Sequence, residues 1–477
     1  MKKNTILTLI LLVLPLMATA QDAEVPPVQV DSAWVFSSVL PEGGIPVDSA
    51  LANASGMHGV AVDGDGKIWL QPFATTETIV LDGVGGDPVA TRALYIYNPD
   101  GTEADFSPLT TFEYVDGSDV DTVGHYWNTY RETPGWEGMS GRGLKADDDG
   151  NIIVSTGGVI YRIRKDGKGM NKYPYVGADG LLDSPTAAAV DGQGNVYVAP
   201  VVPGANSLIK LPKDFSPSTT PEVLLAETPG FSRAFEVSDD GNTIYWNGYS
   251  NGAVYVYSRT DEFSPFDPES YTEMTGLASE SATFNPVTGH IWLSGGSTFS
   301  PASNGYANQT WYAFDPSDLD TPLASITWNG DAMDNSAIGA GEGRPRGLAF
   351  SLDGGTAYVV QFNEAILAAQ VFMGDASTSI EGEDEVNTTP QNFRLDQNYP
   401  NPFNPSTNIE FELPAAANTM LQVYDVSGRL VATLVNGNMP AGVHTVTFNA
   451  SDLSSGVYFY MLRSGNLSMT KQMTLIK

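Results

Sequence analysis

Several residue types are missing or rare in this chain of 477 residues, and each absence narrows its chemistry. There is no cysteine, which excludes disulfides, thiolate metal sites, thiol nucleophiles and a lipid-modified N-terminal cysteine. No phosphate loop ending in Gly-Lys-Ser or Gly-Lys-Thr occurs. The four histidines have no H-x-x-x-H spacing, so we predict no zinc site of the common kinds; they are His58, His125, His290 and His444.

Basic residues are scarce as well, since 23 Lys and Arg stand against 56 Asp and Glu and give a formal net charge of −33. Lys2 and Lys3 contribute +2, and residues 391 to 477 carry five acidic and five basic side chains, so the segment between them carries −35. Nucleic acid and anionic membranes require clustered Lys and Arg, so this negative charge argues against both as partners. The same charge favours a soluble monomer.

Long apolar runs are limited to one, from Ile6 to Met17, and it follows Lys2 and Lys3. Ala18-Thr-Ala20 before Gln21 supplies the small residues that a signal peptidase requires, so residues 1–20 are predicted to be a signal peptide cleaved near Ala20/Gln21. The run is too short for a stable membrane anchor, and no transmembrane segment is expected. The sequence therefore predicts export through the periplasm.

One phrase recurs six times in the middle of the chain: a small residue, apolar alternation, an acidic turn with Gly, and a second apolar strand. A third strand follows several copies, as in Val159 to Ile163. Strand, turn, strand, turn, strand is one antiparallel blade, and repeated blades around an axis form a propeller. The copies are Gly59 to Leu70, Gly143 to Val154, Ala187 to Val198, Ala234 to Tyr245, Ser281 to Trp292 and Gly347 to Tyr358.

The spacing of the phrases predicts a six-bladed β-propeller over residues 33–373. Two long gaps are interpreted as insertions, Asp105 to Met139 and Asn329 to Glu342, although a degenerate seventh blade in the first gap stays open. The last blade shows only three strands, and Ala33 to Leu40 is an unassigned strand near the N-terminus. We expect that strand to complete the last blade, which would remove two exposed edges.

The repeated phrase resembles the strand pairs of NHL-type and gluconolactonase-like six-bladed propellers. It lacks the Asp that commonly follows the second strand of the NHL pattern. Gluconolactonase-like propellers hold a channel metal with acidic and amide side chains, and only Glu280 aligns with such a ligand here. The resemblance therefore implies the fold more strongly than an activity, and we assign neither a metal nor another cofactor.

The C-terminal segment, residues 392–477, contains four ordered motifs between short alternating strands, which predicts a small immunoglobulin-like β-sandwich. An acidic, polar stretch at residues 374–391 is predicted to be a linker before it. The motifs resemble the type A C-terminal sorting domain of the type IX secretion system of Bacteroidetes-like bacteria. The resemblance implies the secretion machinery as partner and a secreted or outer-surface location, without deciding whether the domain is removed. The motifs are Asn398 to Thr407, Val423 to Arg429, Ala441 to His444 and Ser455 to Tyr460.

When the six copies of the phrase are aligned, the residues that directly precede the small residue of each copy occupy equivalent positions. The first strand of a blade is innermost, so these residues should surround one mouth of the central channel. Arginine suits carboxylate, phosphate or sulfate, and the mouth is predicted to bind such a ligand; alternatively, the arginines pair with Glu137, Glu280 and Glu342. The aligned residues are His58, Arg142, Thr186, Arg233, Glu280 and Arg346.

Two further features have alternative interpretations. Aromatic residues of the first insertion could stack on sugar rings or pack against the blade below; they are Tyr126, Trp127, Tyr130 and Trp136. The acidic turns after Asp63 and Asp147 partly match calcium loops but lack the Glu at the twelfth position. Asp and Asn before Gly are also typical of tight hairpins, which we favour over a calcium site.

Two function classes follow. The first is a non-catalytic exported propeller that binds a polysaccharide or protein through its channel mouth. The second is a propeller hydrolase or lyase, acting on a sugar lactone or polysaccharide with a metal in the channel. Convergence of three or more carboxylate or amide oxygens in the channel would favour the enzyme, whereas an arginine-rich or apolar plug would favour binding. No catalytic constellation is identified, and the sequence favours the binding protein.

Overall fold

A computed structural model gives two compact units, Met1–Thr378 and Ser379–Lys477. The predicted signal peptide and residues 375–391 of the predicted linker lie outside the described residues. The described part of the chain contains no helix, and hence none that could cross a membrane. The described residues are 30, 32–41, 45, 56–73, 76–80, 88–130, 135–177, 180–204, 206–297, 299–329, 343–362, 368–374, 394–395, 398, 400–401, 403–413, 417–425, 430–440, 442–451, 453–464 and 467–477.

The first unit is built from short antiparallel strands. They are β1 Ser32–Ala33, β2 Val35–Leu40, β3 Met57–Val62, β4 Ile68–Pro72, β5 Glu77–Val80, β6 Pro88–Thr91, β7 Tyr95–Tyr97, β8 Thr111–Glu113, β9 Val120–Thr122, β10 His125–Asn128, β11 Gly135–Gly138, β12 Gly141–Ala146, β13 Ile152–Thr156, β14 Val159–Ile163, β15 Gly169–Pro174, β16 Ala189–Val190, β17 Val196–Val198, β18 Leu208–Leu211, β19 Glu222–Leu225, β20 Phe235–Val237, β21 Thr243–Gly248, β22 Ala253–Ser258, β23 Tyr271–Thr275, β24 Ala282–Phe284, β25 Ile291–Ser294, β26 Thr310–Asp315, β27 Asp318–Thr327, β28 Arg344–Phe350, β29 Thr356–Phe362 and β30 Ala369–Met373.

Six of the sheets form blades, numbered here 1 to 6 in chain order, whose inner strands are β3, β12, β16, β20, β24 and β28. Each inner strand contacts the next, and β28 contacts β3, so the described strands close a ring. This arrangement confirms the predicted propeller. The sheet β8 to β11 falls in the first gap but does not enter the ring, because β3 contacts β12 directly. It is therefore an insertion rather than a seventh blade.

The small residue that begins each phrase lies where neighbouring inner strands touch. A Cβ atom added to Gly59 would lie 2.7 Å from the backbone nitrogen of Leu144 in the next blade. At Gly143, with φ +145°, an added Cβ would lie 2.4 Å from the Cβ of Ala187. Because neither position has room for a larger side chain, the small residues allow the ring to close tightly.

The acidic turns are tight hairpins, as predicted. Asp63 Oδ1 accepts hydrogen bonds from the backbone N–H groups of Asp65 and Lys67 at 2.9 Å each, and Gly66 takes a φ of +79°. Asp63 Oδ2 accepts a hydrogen bond from Trp69 Nε1 at 2.8 Å. The buried carboxylate thus satisfies donors of its own hairpin, which explains why Asp recurs at the start of these turns.

The N-terminal segment closes the ring. Strand β2 pairs with β30 and supplies the fourth strand of blade 6, which confirms the prediction for Ala33 to Leu40. The structure adds a detail: Ser32–Ala33 pairs instead with β27 of blade 5, in parallel. Trp34 stands between these strands and packs edge-on against Trp292 of blade 5 and Phe350 of blade 6, at 5.6 and 5.4 Å between ring centroids.

The second unit is a small β-sandwich, as predicted. Its strands are β31 Arg394–Leu395, β32 Ser406–Leu413, β33 Ala417–Asp425, β34 Leu430–Met439, β35 Gly442–Asn449, β36 Gly456–Ser464 and β37 Leu467–Leu475. One sheet has the order β31-β32-β35 and the other β34-β33-β36-β37, with apolar side chains such as Phe411 and Leu421 buried in its core.

The proline-rich motif that precedes β32 has a defined structural role. Asn398 is buried, its backbone N–H donates to the Tyr460 hydroxyl at 2.9 Å, and its side-chain Nδ2 donates to Pro400 O at 3.1 Å. The Thr407 hydroxyl also donates to Pro400 O, at 2.8 Å. The motif therefore ties the start of the sandwich to its central strand.

Candidate functional site

The residues aligned by the repeat lie where the inner strands begin, at one end of the ring that we call the mouth. Five of them are coupled electrostatically, by an ion pair or by mutual effects on pKa, and therefore lie near one another. The sixth, Thr186, is buried, and its hydroxyl donates to Ala187 O at 2.8 Å. The positions are His58 in β3, Arg142 in β12, Thr186 before β16, Arg233 before β20, Glu280 before β24 and Arg346 in β28.

Arg346 and Glu280 form a buried ion pair between blades 6 and 5. Arg346 Nη1 lies 2.5 Å from Glu280 Oε2, and the two side chains are 3% and 0% exposed. Burial lowers the pKa of Arg346 to about 9, against the opposing effect of Glu280, so the guanidinium stays charged at neutral pH. The expectation that mouth arginines pair with acidic neighbours holds for this arginine. The side chains of Glu137 and Glu342 lie outside the described residues.

Arg142 and Arg233 differ from Arg346, because neither makes an ion pair with any described residue. Their Nε atoms are buried and lack a hydrogen-bond partner among those residues. Burial, together with the positive charges of Arg233 and Arg92, lowers the pKa of Arg142 to about 10. The mouth therefore concentrates cations in a unit that is otherwise strongly acidic.

Aromatic rings lie beneath these guanidinium groups. Each ring comes from a residue at or just beyond the end of the second strand of a blade. The repeated phrase does not include this position. A cation over an aromatic face within about 6 Å is attracted to the ring and held in orientation. The pairs are Arg142 over Phe73 at 5.6 Å, Arg233 over Tyr249 at 5.7 Å and Arg346 over Phe362 at 5.3 Å.

His58 is buried between two of these rings. Its imidazole centroid lies 5.3 Å from that of Phe73 and 5.9 Å from that of Phe362. Burial lowers the pKa of His58 well below its usual range, and the charges of Arg346, Arg142 and Arg233 lower it further. The imidazole is therefore neutral at neutral pH, so it can accept or donate one hydrogen bond at each nitrogen rather than add a positive charge.

Several buried polar atoms near the mouth have no hydrogen-bond partner among the described residues. They include His58 Nδ1, Gln361 Nε2, and both side-chain atoms of Asn247. Gln361 directly precedes Phe362 at the end of β29, and Asn247 lies two residues before Tyr249 at the end of β21. Leaving such a group unpartnered costs about 1 to 3 kcal/mol, and all three side chains are at most 3% exposed.

A second ion pair crosses the channel below the mouth. Lys145 of blade 2 contacts Glu236 of blade 4 and donates to the Thr283 hydroxyl of blade 5 at 3.1 Å. Burial raises the pKa of Glu236, and Lys145 opposes that effect. Blades 2 and 5 are opposite each other in the ring, so this contact spans the axis. We call these three residues the plug.

The far end of the ring carries the opposite charge. Asp148, in the turn after β12, has its pKa raised by burial and by the neighbouring charges of Asp239, Asp147 and Asp149. These carboxylates belong to the hairpin turns of blades 2 and 4, at the ends of the inner strands away from the mouth. The propeller is thus electrically polarised along its axis.

The insertion β8 to β11 packs along the outer edge of blade 2. Val115 N–H donates to Gly169 O at 2.9 Å, and the rings of Phe112 and Tyr114 leave no room for a side chain at Gly169. Tyr126 packs against the apolar cluster that contains Phe112 and Tyr114, whereas Trp127 is 48% exposed. Tyr130 is half-buried, and the side chain of Trp136 lies outside the described residues. A ligand-facing role for this insertion stays a prediction.

Catalytic and metal-binding groups are sparse. Gly248 to Gly252 has the spacing G-x-S-x-G, but Ser250 lies in the turn between β21 and β22 rather than at a strand-to-helix elbow. Its hydroxyl accepts from Phe231 N–H and donates to Asn251 Oδ1, both at 3.0 Å, so among the described residues its hydrogen-bond acceptor is an amide and not a base. Within the described residues no group of three His, Asp or Glu side chains converges as metal ligands.

The low pKa of His58 predicts a pH-dependent stability. The unfolded chain protonates this residue below about pH 6.5, whereas the folded chain does not until a lower pH. The free energy of unfolding should therefore fall as pH drops below about 6.5, with a slope of up to about 1.4 kcal/mol per pH unit from this residue. Between pH 7.5 and 5.5, the fall in the free energy of unfolding, measured with urea, should be smaller for His58→Gln than for the parent chain. An equal drop in His58→Gln would contradict the assignment.

Comparisons with solved structures find remote similarity. PorZ, an essential bacterial surface component of the type IX secretion system of Porphyromonas gingivalis, is 14% identical with a TM-score of 0.37 and is aligned over 88% of this chain. The match covers 51% of PorZ, so this chain spans about half the length of that protein. A gluconolactonase from Xanthomonas campestris is 14% identical with a TM-score of 0.40, over 73% of this chain and 97% of that one. Neither similarity carries an argument about function.

A search of curated proteins finds no match. The family model of the secretion system C-terminal sorting domain matches residues 397–477, the segment that forms most of the β-sandwich. The sandwich, its buried Asn398 and the four ordered motifs agree with that match. Residues 397–477 are therefore a type IX secretion system C-terminal sorting domain, and the chain is an exported propeller protein destined for secretion or the outer cell surface.

Proposed function

We infer that the exported propeller is a binding module that holds an anionic group of a polymer or protein partner at its mouth, without catalysing a reaction on it. The observation that carries this inference is the pair Arg142 and Arg233, two guanidinium groups that no described carboxylate neutralises. Aromatic rings orient both of them. A preoriented guanidinium is suited to carboxylate or sulfate through two parallel hydrogen bonds.

The charge distribution supports the same function. The segment between the predicted signal peptide and the sorting domain carries −35, so an arginine cluster at one opening is a local reversal of sign. A surface whose charge served only for solubility would not require positive charge concentrated at one opening. The channel below is crossed by the pair Lys145 and Glu236. That arrangement favours binding over the metal-dependent hydrolase or lyase.

Replacement of Arg142 or Arg233 by Ala tests this function. Each variant should bind an acidic partner about 10 to 150 times more weakly, because a hydrogen bond to a charged group contributes about 1.5 to 3 kcal/mol. Arg164→Ala is the matched control, since it removes the same charge from an exposed turn, where Arg164 pairs with Asp166. A screen against uronate-containing and sulfated glycans and acidic peptides would identify the partner. If the Arg164 variant loses as much affinity as the mouth variants, the site is wrongly placed.

A further inference from the structure

We propose that the mouth binds a polypeptide segment in which an acidic residue stands next to a large apolar one. This inference rests on the proposed function and adds to it the class of partner. The loops at the mouth end of the ring carry exposed apolar side chains besides the guanidinium groups that would bind the acid. We call these side chains the rim; they are Val202, Phe231 and Phe299.

Chain topology places the rim at the mouth end. Each inner strand begins at the mouth, so the loop that enters it lies there, as does the loop after the second strand of the same blade. Phe231 is in the loop that enters β20, Val202 in the loop after β17, and Phe299 in the loop after β25. The rim side chains are 40%, 44% and 61% exposed, in that order. A ligand can therefore contact them directly.

Phe231 extends the apolar surface as far as Arg233. Its ring centroid lies 6.5 Å from that of Tyr249, and the Arg233 guanidinium lies 5.7 Å from the centroid of the same tyrosine ring. Tyr249 is half-buried and links the two. An acidic side chain that reaches Arg233 would therefore bring the neighbouring residues of its own chain against Phe231.

The loop that carries Phe231 is fixed to both adjoining blades. Phe231 N–H donates to the Ser250 hydroxyl of blade 4 at 3.0 Å, and Ser232 N–H donates to Val201 O of blade 3 at 3.2 Å. The second bond also brings Val202 next to this loop. Because the loop is already ordered, binding to it costs little conformational entropy. An exposed aromatic residue on such a loop is suited to anchor a partner.

A second arginine and aromatic pair lies between blades 5 and 6. The Arg344 guanidinium lies 4.2 Å from the ring centroid of Phe299. The positive charge of Arg344 contributes to the lowered pKa of Arg346, which places this pair near the other mouth arginines. Arginine and aromatic residues are enriched in protein interfaces, and exposed apolar side chains grouped beside charges mark such surfaces.

A polypeptide fits this rim better than an acidic glycan. Aromatic rings can stack on sugars, but the aliphatic side chain of Val202 offers no such stacking. Apolar side chains of a peptide would bury the rim favourably while its carboxylate binds the guanidinium groups. An acidic glycan would neutralise the same arginines and leave the aliphatic part of the rim in water.

A displayed library of random dodecapeptides tests the class of partner on the full-length mature chain. We expect the enriched peptides to carry Asp or Glu next to Phe, Trp, Leu or Val. In titration calorimetry, the best of them should bind at least tenfold more tightly than a capped peptide of six glutamates. Enrichment of acidic peptides without apolar residues would overturn the role of the rim and leave the proposed anion site intact. Binding of an acidic glycan with no enriched peptide would overturn the polypeptide assignment alone.

Matched phenylalanine variants locate the binding surface. Phe231→Ala should bind the best enriched peptide at least tenfold more weakly and the six-glutamate peptide as the parent chain does, because it removes an apolar contact and no charge. Arg233→Ala should weaken binding of both peptides. Phe263→Ala is the control, since Phe263 is 89% exposed and lies between β22 and β23, at the far end of the ring.

Urea unfolding of each variant separates loss of binding from loss of folding. If folded Phe231→Ala binds the enriched peptide as tightly as the parent chain, or if Phe263→Ala loses as much affinity, the rim is wrongly assigned. If no acidic peptide and no acidic glycan binds the parent chain, the proposed function fails together with this inference.

Discussion

Removal of residues 32–40 is expected to abolish cooperative unfolding of the propeller. This segment supplies the outer strand of blade 6 and pairs with β30, which would otherwise be an exposed edge. It also buries Leu40 and packs Phe36 against Phe372 at 5.8 Å between ring centroids. Loss of one large buried apolar side chain typically costs about 2 to 5 kcal/mol. Losing several at once exceeds much of the net stability of a domain, about 5 to 15 kcal/mol.

Differential scanning calorimetry of the truncated chain measures this effect. A synthetic peptide of residues 30–42, added in excess, should pair with β30 and restore part of the transition. Two point variants test smaller changes in the same segment. Trp34→Ala should lower the free energy of unfolding by about 3 kcal/mol or more, because Trp34 packs against blades 5 and 6. Val35→Ala should have little effect, because Val35 is 63% exposed. A truncated chain with an unchanged transition would show that β2 does not close the ring.

Replacement of Glu280 by Leu is expected to destabilise the propeller by about 3 to 5 kcal/mol. The change leaves the guanidinium of Arg346 buried without its carboxylate partner, and an uncompensated buried charge is strongly unfavourable. Arg346 already has its pKa lowered to about 9 by burial, and loss of Glu280 would lower it further. Urea denaturation at neutral pH, followed by tryptophan fluorescence, measures the change.

The double variant Glu280→Leu with Arg346→Met is the matched control. Because it removes both charges and leaves apolar side chains of similar volume, its stability should return close to that of the parent chain. If both the single and the double variant unfold at the same urea concentration as the parent, the ion pair contributes nothing to the ring. Such a result would also weaken its role in holding Arg346 at the mouth.

The propeller could be predicted from the sequence because its signal is periodic. Five of the six copies place a small residue, an Asp or Ser turn cap and a Gly of positive φ at the same offsets, as at Gly59, Asp63 and Gly66; the fifth has Asn285 as its cap and a turn one residue longer, to Gly289. Register alone then placed His58 and the three mouth arginines at one end of the ring. The sorting domain could also be predicted from the sequence, because each of its motifs is a short continuous segment and the four occur in a fixed order.

The rest of the site depends on contacts between blades, which one sequence does not encode visibly. Lys145 contacts Glu236 and Thr283 from opposite parts of the ring, and nothing in the local sequence of β12 indicates those partners. Phe73 and Phe362 were missed because they lie at or just beyond the end of the second strand, outside the repeated phrase. The signal that could have found them was an aromatic residue recurring at that place in blades 1, 4 and 6.

The opposed charges at the two ends of the propeller bear on how fast a ligand arrives. An acidic ligand of the proposed kind would be repelled by most of the body, so at low ionic strength its association should be slow even though the arginines would attract it at contact. Salt shortens the range of the repulsion, to about 8 Å at 0.15 M, before it weakens the contact itself. For the proposed acidic ligand, association at the mouth should therefore be fastest in saline surroundings, such as those outside a cell.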